Sequence, residues 1–364
     1  MDVILVQTSF LDDSMEVIDF MEYGRQEVAR REASGKFSSA HHLDRALEYL
    51  CRFLQGRRLP INEVDGPLVS DWRDFLQGCG LGLGTVRLYV NVLRGVYNRA
   101  VRQRMVADSF PFGSLGLCSP AKPQPVLSED EMARFVSLEV SPCGWQWLTH
   151  RFCCLIYHLC GMPPVDLMRL RWSQVDLRRG VLTYSRHKTG NGSVIPITAE
   201  AKTILLELRR LYERRHELGD RGWGRLKCVR GWQEGYVFPF IADATDGKAT
   251  YLEVKNAERM MNGCLKRLGE RLGVSGLSLY AFRRSWATTA HSVYKADMGD
   301  ISRGLCHASV RTTYLYIQRA DLGSFHLLAV RMSKGLGRRA RQLVTKPPGS
   351  PPRGRGKKNI PLFL

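Results

Sequence analysis

The first hundred residues repeat their hydrophobic positions with the period of a helix. Between residues 38 and 54, Leu43, Leu47 and Leu50 fall on one stripe, while the charged positions fall largely off it. The same pattern predicts helices at residues 14–32, 38–54, 67–77 and 85–102, with Thr85 as the cap that opens the last of them. We therefore expect an all-helical domain over residues 1–118.

A proline-rich segment separates this region from the rest of the chain. Residues 119–127 contain three prolines, which remove backbone donors and restrict the chain, so the segment is predicted to be an interdomain linker. Directly after it, Ser128 and Glu131 have the spacing of a capping box, which opens a helix. A second domain is therefore predicted over residues 128–335.

The second domain is predicted to mix helices with a few short strands. Hydrophobic runs predict helices at 145–159 and 165–172, then strands at 181–188 and 193–197 joined by the turn sequence TGNG. The remaining helices are predicted at residues 199–217, 251–272, 282–294, 309–318 and 322–332. The fold class is thus mostly α with a small β-sheet, an α+β arrangement.

The chain is strongly basic. Its 364 residues include 54 Lys and Arg against 35 Asp and Glu, which gives a formal charge of +19. Residues 336–364 consist largely of Pro, Gly, Arg and Lys without an acidic residue, and we expect them to form a disordered basic tail. Such an excess favours a polyanionic partner, because Lys and Arg displace the counterions of a phosphate backbone. A solvated tail that only keeps the protein soluble is the alternative.

Other classes of protein are disfavoured by the sequence. No stretch approaches the roughly 18 uninterrupted apolar residues of a membrane span. The ten cysteines contain no C-x-x-C pair, and the N-terminus lacks the basic region of a signal peptide. We expect reduced core cysteines, no metal, no cofactor and no membrane partner, in a cytoplasmic, nucleoid-associated protein.

Four motifs that carry reactive side chains follow one another in the second domain. They are GMPPVDLMRLRW at 161–172, YSRHKTG at 184–190, LSLYAFRRSWAT at 277–288 and LCHASVRTTYLY at 305–316. Lys188 ends a strand, Arg283 opens a helix, and His307 lies nine residues before Tyr316. The order and the spacing carry more information than any one of these residues.

This set resembles the tyrosine recombinase, or phage integrase, family, including its mobile-element branch. The resemblance extends to the helical region, where LVSDWRDFL at 68–76 and TVRLYVNVLRGVYNRAV at 85–101 are similar to the core-binding domain of the family. It implies a SAM-like helical domain followed by a mixed catalytic domain. The implied function is that of a site-specific DNA recombinase or integrase, which works through a 3′-phosphotyrosyl intermediate without metal or ATP.

The resemblance also implies a role for each reactive residue. Tyr316 would be the nucleophile, Arg283 would bind the nonbridging oxygens in a two-pronged contact, and Lys188 would protonate the departing 5′ oxygen. His307 would contact the phosphate or shuttle a proton. Tyr314 is the competing nucleophile, which the spacing of the family disfavours.

Each of these residues also has a purely structural interpretation. Tyr316 could be a buried aromatic residue and Lys188 an exposed turn residue. Arg283 could pair with an acid such as Asp166, and His307 could cap a helix. The four residues occurring in register is what favours the catalytic interpretation.

The chain departs from the family at two catalytic positions. Pro163 and Cys160 occupy the places where an arginine is expected, and Tyr280 replaces a histidine but keeps a hydrogen-bond donor. Arg186 is a candidate substitute, since alternation along the predicted strand directs it to the same side as Lys188. Arg169 and Arg171 are weaker candidates, and Arg186 could instead contact only the DNA backbone or solvent.

Two functions are therefore open at this point. The first is a recombinase acting in integration, excision or inversion, with double-stranded DNA as partner. It would work as a homotetramer in the synaptic complex, with residues 322–332 docking on a neighbour, and with an accessory DNA-bending protein as a further expected partner. The second is a catalytically degraded relative that binds DNA as an accessory or regulatory protein.

Overall fold

The computed structural model describes residues 18–113, 125–142, 144–214, 232, 234–242 and 245–314. Several predictions lie outside these residues in whole or in part: Tyr316, the helix at 322–332, the tail at 336–364, most of the linker at 119–127, and the ends of the helices predicted at 14–32, 199–217 and 309–318. Within the described residues, no helix is long and apolar enough to span a bilayer.

The N-terminal region consists of four helices around one core. They are α1 (Phe20–Ala33), α2 (Phe37–Leu54), α3 (Gly66–Gly78) and α4 (Leu83–Arg102), with a 3₁₀ turn at Ile61–Glu63. Leu43, Leu47 and Leu50 are buried, as the predicted stripe requires, and they pack with α4 residues such as Val90 and Leu93. The stripe thus holds α2 between its neighbours.

Two predicted helix starts in this region were wrong. Helix α1 begins at Phe20 instead of residue 14, because the Asp19 side chain accepts a hydrogen bond from the Glu22 N–H and caps the helix there. Helix α4 begins at Leu83 after Gly82, whose carbonyl accepts from the Thr85 and Val86 N–H groups. Thr85 is therefore inside the first turn and does not cap it.

The second group of elements is built around one central helix. Its helices are α5 (Glu129–Val136), α6 (Gly144–His158), α7 (Pro164–Met168), α8 (Ala199–Glu213), α9 (Lys248–Leu272), α10 (Leu279–Ser292), α11 (Met298–Gly304) and α12 (Val310–Tyr314). Helix α6 is buried among α8, α9 and α10, with Leu148, Phe152 and Leu155 fully enclosed. The predicted capping box opens α5, with Ser128 and Glu131 bonded in both directions.

A three-stranded antiparallel sheet lies beside these helices. Its strands β1 (Val175–Asp176), β2 (Val181–Ser185) and β3 (Gly192–Pro196) are adjacent in chain order. Leu182 pairs with Ile195, and both are buried. The mostly helical fold with a small sheet is the predicted fold class.

Strand β2 is shorter than predicted. It ends at Ser185, and the Arg186 N–H donates to the Asn191 carbonyl across the hairpin before residues 187–189 turn. The predicted strand through Lys188 is therefore wrong, and strand alternation does not direct Lys188.

The helix predicted at 165–172 is also cut short. Helix α7 ends at Met168, because the backbone then bonds to another segment: the Leu170 carbonyl accepts from the Val237 N–H, and the Trp172 N–H donates to the Gly235 carbonyl. Helix α11 was not predicted at all. It closes the chain onto α10, where Gly304 lies against the Trp286 ring.

Candidate active site

Arg283 lies at the centre of the second domain's reactive residues. It is on the first turns of α10 and is 1% exposed. Its Nη1 donates to the Gly161 carbonyl, and its Nη2 donates to the Leu305 carbonyl at 2.9 Å. Arg283 thus joins the first and last motifs through backbone oxygens.

The backbone of the first motif comes close to Leu305 and Arg283 at Gly161. Gly161 has a φ of +66°, and a Cβ there would lie 3.0 Å from the Leu305 side chain and 3.3 Å from the Arg283 carbonyl. A larger residue would therefore be strained and crowded at once. Glycine at this position lets the first motif contact α10 directly.

His307 is held between Arg283 and α12. Its Nε2 lies 2.9 Å from Arg283 Nη2, and its Nδ1 lies 2.9 Å from Thr313 Oγ1. Because a guanidinium only donates hydrogen bonds, Nε2 accepts, and Nδ1–H donates to the threonine. Burial, and then the charges of Arg283 and Arg186, lower the pKa of His307 to about 4. The imidazole is therefore neutral at pH 7.

The Arg186 side chain contacts the same stretch of backbone, the Leu305–Cys306 corner, from the end of β2. Its Nη1 donates to the Cys306 carbonyl at 2.9 Å and to the Leu305 carbonyl at 3.2 Å. Arg283 donates to the same Leu305 oxygen, so the two guanidinium nitrogens are at most about 6 Å apart. The residues that meet here are the two arginines and His307.

Asp166 on α7 supports this arrangement from behind. Its side chain is 1% exposed, and its Oδ2 lies 2.9 Å from Arg186 Nε. The contact is close but poorly aligned for a hydrogen bond, so it is an ion pair in character. The sequence allows Asp166 as an ion-pair partner of Arg283, but in the structure the ion pair of Asp166 is with Arg186.

The other predicted site residues are either exposed or paired with residues other than Arg283, Arg186 and His307. Lys188 is exposed on the 187–189 turn, and Tyr280 is 41% exposed on the first turn of α10. Arg169 forms an ion pair with Asp246, and Arg171 donates to the Glu234 carbonyl. The two weaker candidates for the missing arginine therefore have other partners.

The two positions that lack the expected arginine have local backbone roles. Pro163 precedes α7, and its carbonyl accepts from the Asp166 and Leu167 N–H groups. Cys160 has a φ of +54°, which places it in the turn that leads to Gly161.

Sequence reasoning missed two contributors to the site. Thr313 is fully buried and orients His307, and the Thr-Thr pair of the last motif was the signal for it. The carbonyls of Leu305 and Cys306 hold both arginines, and no side-chain pattern indicates backbone acceptors. The tyrosine predicted as the nucleophile is beyond the described residues; Tyr314, the competing tyrosine, is 62% exposed at the end of α12.

Two protein-family profiles match this chain, one in each predicted domain. The profile of the phage integrase SAM-like domain matches residues 19–114, and the profile of the phage integrase family matches residues 126–322. The chain belongs to the phage integrase family, the tyrosine recombinases. Among curated proteins, none matches this integrase-family chain significantly.

Solved structures share the fold of this phage integrase family member. The Tn1549 transposon integrase in complex with a circular intermediate DNA is 15% identical, with a TM-score of 0.62, over 86% of this chain and 99% of that one. A lambda integrase dimer bound to a COC′ core site is 16% identical, with a TM-score of 0.55, over 82% and 76%. A lambda integrase tetramer bound to a Holliday junction is 14% identical, with a TM-score of 0.53, over 84% and 78%.

Proposed function

We propose that this protein is a site-specific DNA recombinase that cleaves and rejoins DNA through a 3′-phosphotyrosyl intermediate. The observation that carries the proposal is the convergence of Arg283, Arg186 and His307 on the Leu305–Cys306 corner. That corner begins the motif that ends at Tyr316, the proposed nucleophile. The reaction as written needs neither a metal ion nor ATP, because the phosphotyrosine conserves the phosphodiester bond energy.

The proposed chemistry balances with the residues of this chain. The Tyr316 oxygen bonds to phosphorus and its proton goes to the neutral imidazole of His307, whose low pKa rises once the bound phosphate offsets the charges of Arg283 and Arg186. The bond from phosphorus to the 5′ oxygen breaks, and Lys188 gives that oxygen a proton. Arg283 meets the charge that develops on the nonbridging oxygens, and Tyr280 adds a hydrogen bond.

Arg186 is proposed to replace the arginine missing at positions 160 and 163. Its guanidinium approaches that of Arg283 to within about 6 Å, close enough for both to contact one phosphate. In the structure both guanidinium groups donate to backbone carbonyl oxygens. A phosphate, which is charged, would be a stronger acceptor for the same donors.

Duplex DNA is the proposed partner, and α4 supports it. The exposed side of α4 carries Arg87, Asn91, Arg94, Asn98 and Arg102 at helical spacing. Helix α4 contains no acidic residue, whereas α2 pairs its Arg45 with Glu48. A row of uncompensated arginines suits a phosphate backbone.

We further propose assembly and location by analogy with the family. The similar lambda integrase has been solved as a tetramer on a Holliday junction, and we propose a homotetramer on DNA for this protein as well. An accessory DNA-bending protein and a nucleoid-associated location in the cytoplasm complete the proposal. The domain limits at 118, 128 and 335 remain part of it.

A suicide-substrate assay tests the function. The protein's site is first selected by binding from random-sequence DNA, and a nicked duplex of that site is then incubated with the protein. We expect a covalent complex with wild type and with Tyr314→Phe, and none with Tyr316→Phe. If wild type binds the site without forming a complex, the DNA-binding accessory role replaces the recombinase.

A further inference from the structure

We propose that Asp166 positions two catalytic groups at once, Arg186 and the turn that carries Lys188. The inference rests on the proposed function, in which both groups act on the scissile phosphate. It adds a residue that contacts neither DNA nor the reacting atoms and acts through its neighbours.

The carboxylate of Asp166 makes one contact to each of two consecutive residues after the end of β2, Arg186 and His187. Oδ1 accepts a hydrogen bond of 2.9 Å from the His187 N–H, the residue before Lys188. Oδ2 lies 2.9 Å from Arg186 Nε, on the side of the guanidinium away from the Leu305 and Cys306 carbonyls. The guanidinium is thus held between the carboxylate and the backbone corner.

The position of Asp166 is itself well determined. Its N–H donates to the Pro163 carbonyl in the first turn of α7, and the helix is buried at this residue. A short helix anchored in the core therefore presents a fixed carboxylate to a turn that is otherwise exposed. This couples the exposed turn to the interior of the domain.

Burial makes the carboxylate dependent on Arg186. Burial raises the pKa of Asp166, while the His187 N–H and then the charges of Arg186, His187 and Arg283 oppose that increase. Removing the guanidinium leaves a buried carboxylate with one hydrogen bond, a costly state that protonation relieves. Arg186 and Asp166 should therefore behave as one unit.

The first experiment measures cleavage and DNA affinity of Asp166→Asn. The amide keeps the shape and can still accept from His187 N–H, but it cannot pair with Arg186. We expect cleavage to fall about 10- to 100-fold, because a small displacement of a positioned group has effects of this size. DNA affinity should stay within about threefold of wild type, since no DNA contact is lost.

Asp176→Asn is the matched control. Asp176 also accepts backbone hydrogen bonds in a turn of the same sheet, from the Arg178 and Arg179 N–H groups, but it pairs with Val181 at the opposite end of β2. It should cleave like wild type. In addition, Asp166→Asn should lower the cleavage rate far less in the Arg186→Lys variant than in wild type, because the guanidinium that Asp166 positions is already absent there.

The second experiment needs no cleavage and uses chemical denaturation. Arg186→Met should lower the unfolding midpoint, and adding Asp166→Asn should restore at least half of the loss. The Arg186→Met midpoint should also recover as the pH is lowered from neutral, because protonation then neutralises Asp166. Asp166→Asn should abolish that recovery.

The outcomes separate the inference from the function. If wild type cleaves and Asp166→Asn cleaves within twofold of it, the inference is overturned while the function stands. If wild type does not cleave, the proposed function fails. The denaturation midpoints of Arg186→Met, Asp166→Asn and the double variant then test the coupling of Asp166 to Arg186 by themselves. Additive effects of the two substitutions on the midpoint would then refute the coupling of Asp166 to Arg186.

Discussion

Two sets of arginines in this protein have opposite surroundings. Arg87, Arg94 and Arg102 on α4 are exposed, and within the described part of the chain they form no ion pair. Arg186 and Arg283 are enclosed and bonded to backbone carbonyls. Exposed arginines contribute to ground-state affinity, whereas enclosed ones are oriented in advance and can act on the rate. Residue type alone does not distinguish the two sets.

The largest expected effect is at Arg283. Arg283→Ala should lower covalent-complex formation by at least about 10³, since the main stabiliser of the developing charge is lost. The Gly161 and Leu305 carbonyls also lose a donor, so the unfolding free energy should fall by about 1–3 kcal/mol. Single-turnover cleavage and urea denaturation measure the two effects. Cleavage within tenfold of wild type would exclude Arg283 from the reaction.

Arg186 should follow with a loss of about 10²–10³ in cleavage rate on substitution by Ala. Because Asp166 is then unpaired, the rate is best compared in the Asp166→Asn background. Arg186→Lys should rescue poorly, since an ammonium cannot make the two-pronged contact. Pro163→Arg in the otherwise wild-type protein should raise the rate of cleavage, because it returns an arginine to a position where the family has one. Near-wild-type cleavage after loss of Arg186 would mean that its role is structural.

The α4 arginines should affect binding with little effect on the chemical step. Arg87→Ala and Arg94→Ala should each reduce the slope of log affinity against log salt by about one unit. At saturating protein, cleavage should be unchanged. Arg45→Ala on α2, where Glu48 already pairs with the arginine, is the control and should leave the slope unaltered. Equal slopes for all variants would remove α4 from the DNA interface.

The last prediction concerns stability and not cleavage, through His307 and pH. The pKa of His307 is about 4 in the folded protein, below the ordinary value of about 6.5. Between these values only the unfolded chain binds the proton, so stability should fall as the pH decreases from about 6.5 to 4. His307→Gln should flatten this dependence, which denaturation midpoints at several pH values would reveal. Identical slopes would show that the imidazole titrates normally.

Much of the fold was predictable because its signals are local. The stripe of α2 and the capping box of α5 involve residues three or four apart, and both were confirmed. The predicted element ends were wrong where backbone groups far away in the sequence form hydrogen bonds that the local hydrophobic pattern does not indicate. Helix α7 stops because the segment at 235–237 takes over the bonding of residues 170 and 172. The helical pattern continues past that point in the sequence and cannot register the competition.

The site divides in the same way. The four motifs, their order and their candidate residues follow from the sequence, because they resemble the motifs of the family in residue type and spacing. Which arginines are enclosed does not follow from it. Arg186 bonds to carbonyls that lie 119 and 120 residues away, and it pairs with Asp166 across the end of a strand that was predicted to continue.

The sequence by itself therefore determined the helical periodicity, the basic character and the reactive residue types. The tertiary structure alone decided which of those residues meet and which face solvent. The physical reason is that backbone carbonyls, which every residue carries, hold the two enclosed arginines, and their positions depend on how α11 packs against α10. A buried carboxylate then selects one arginine of the sheet as its partner, at 2.9 Å.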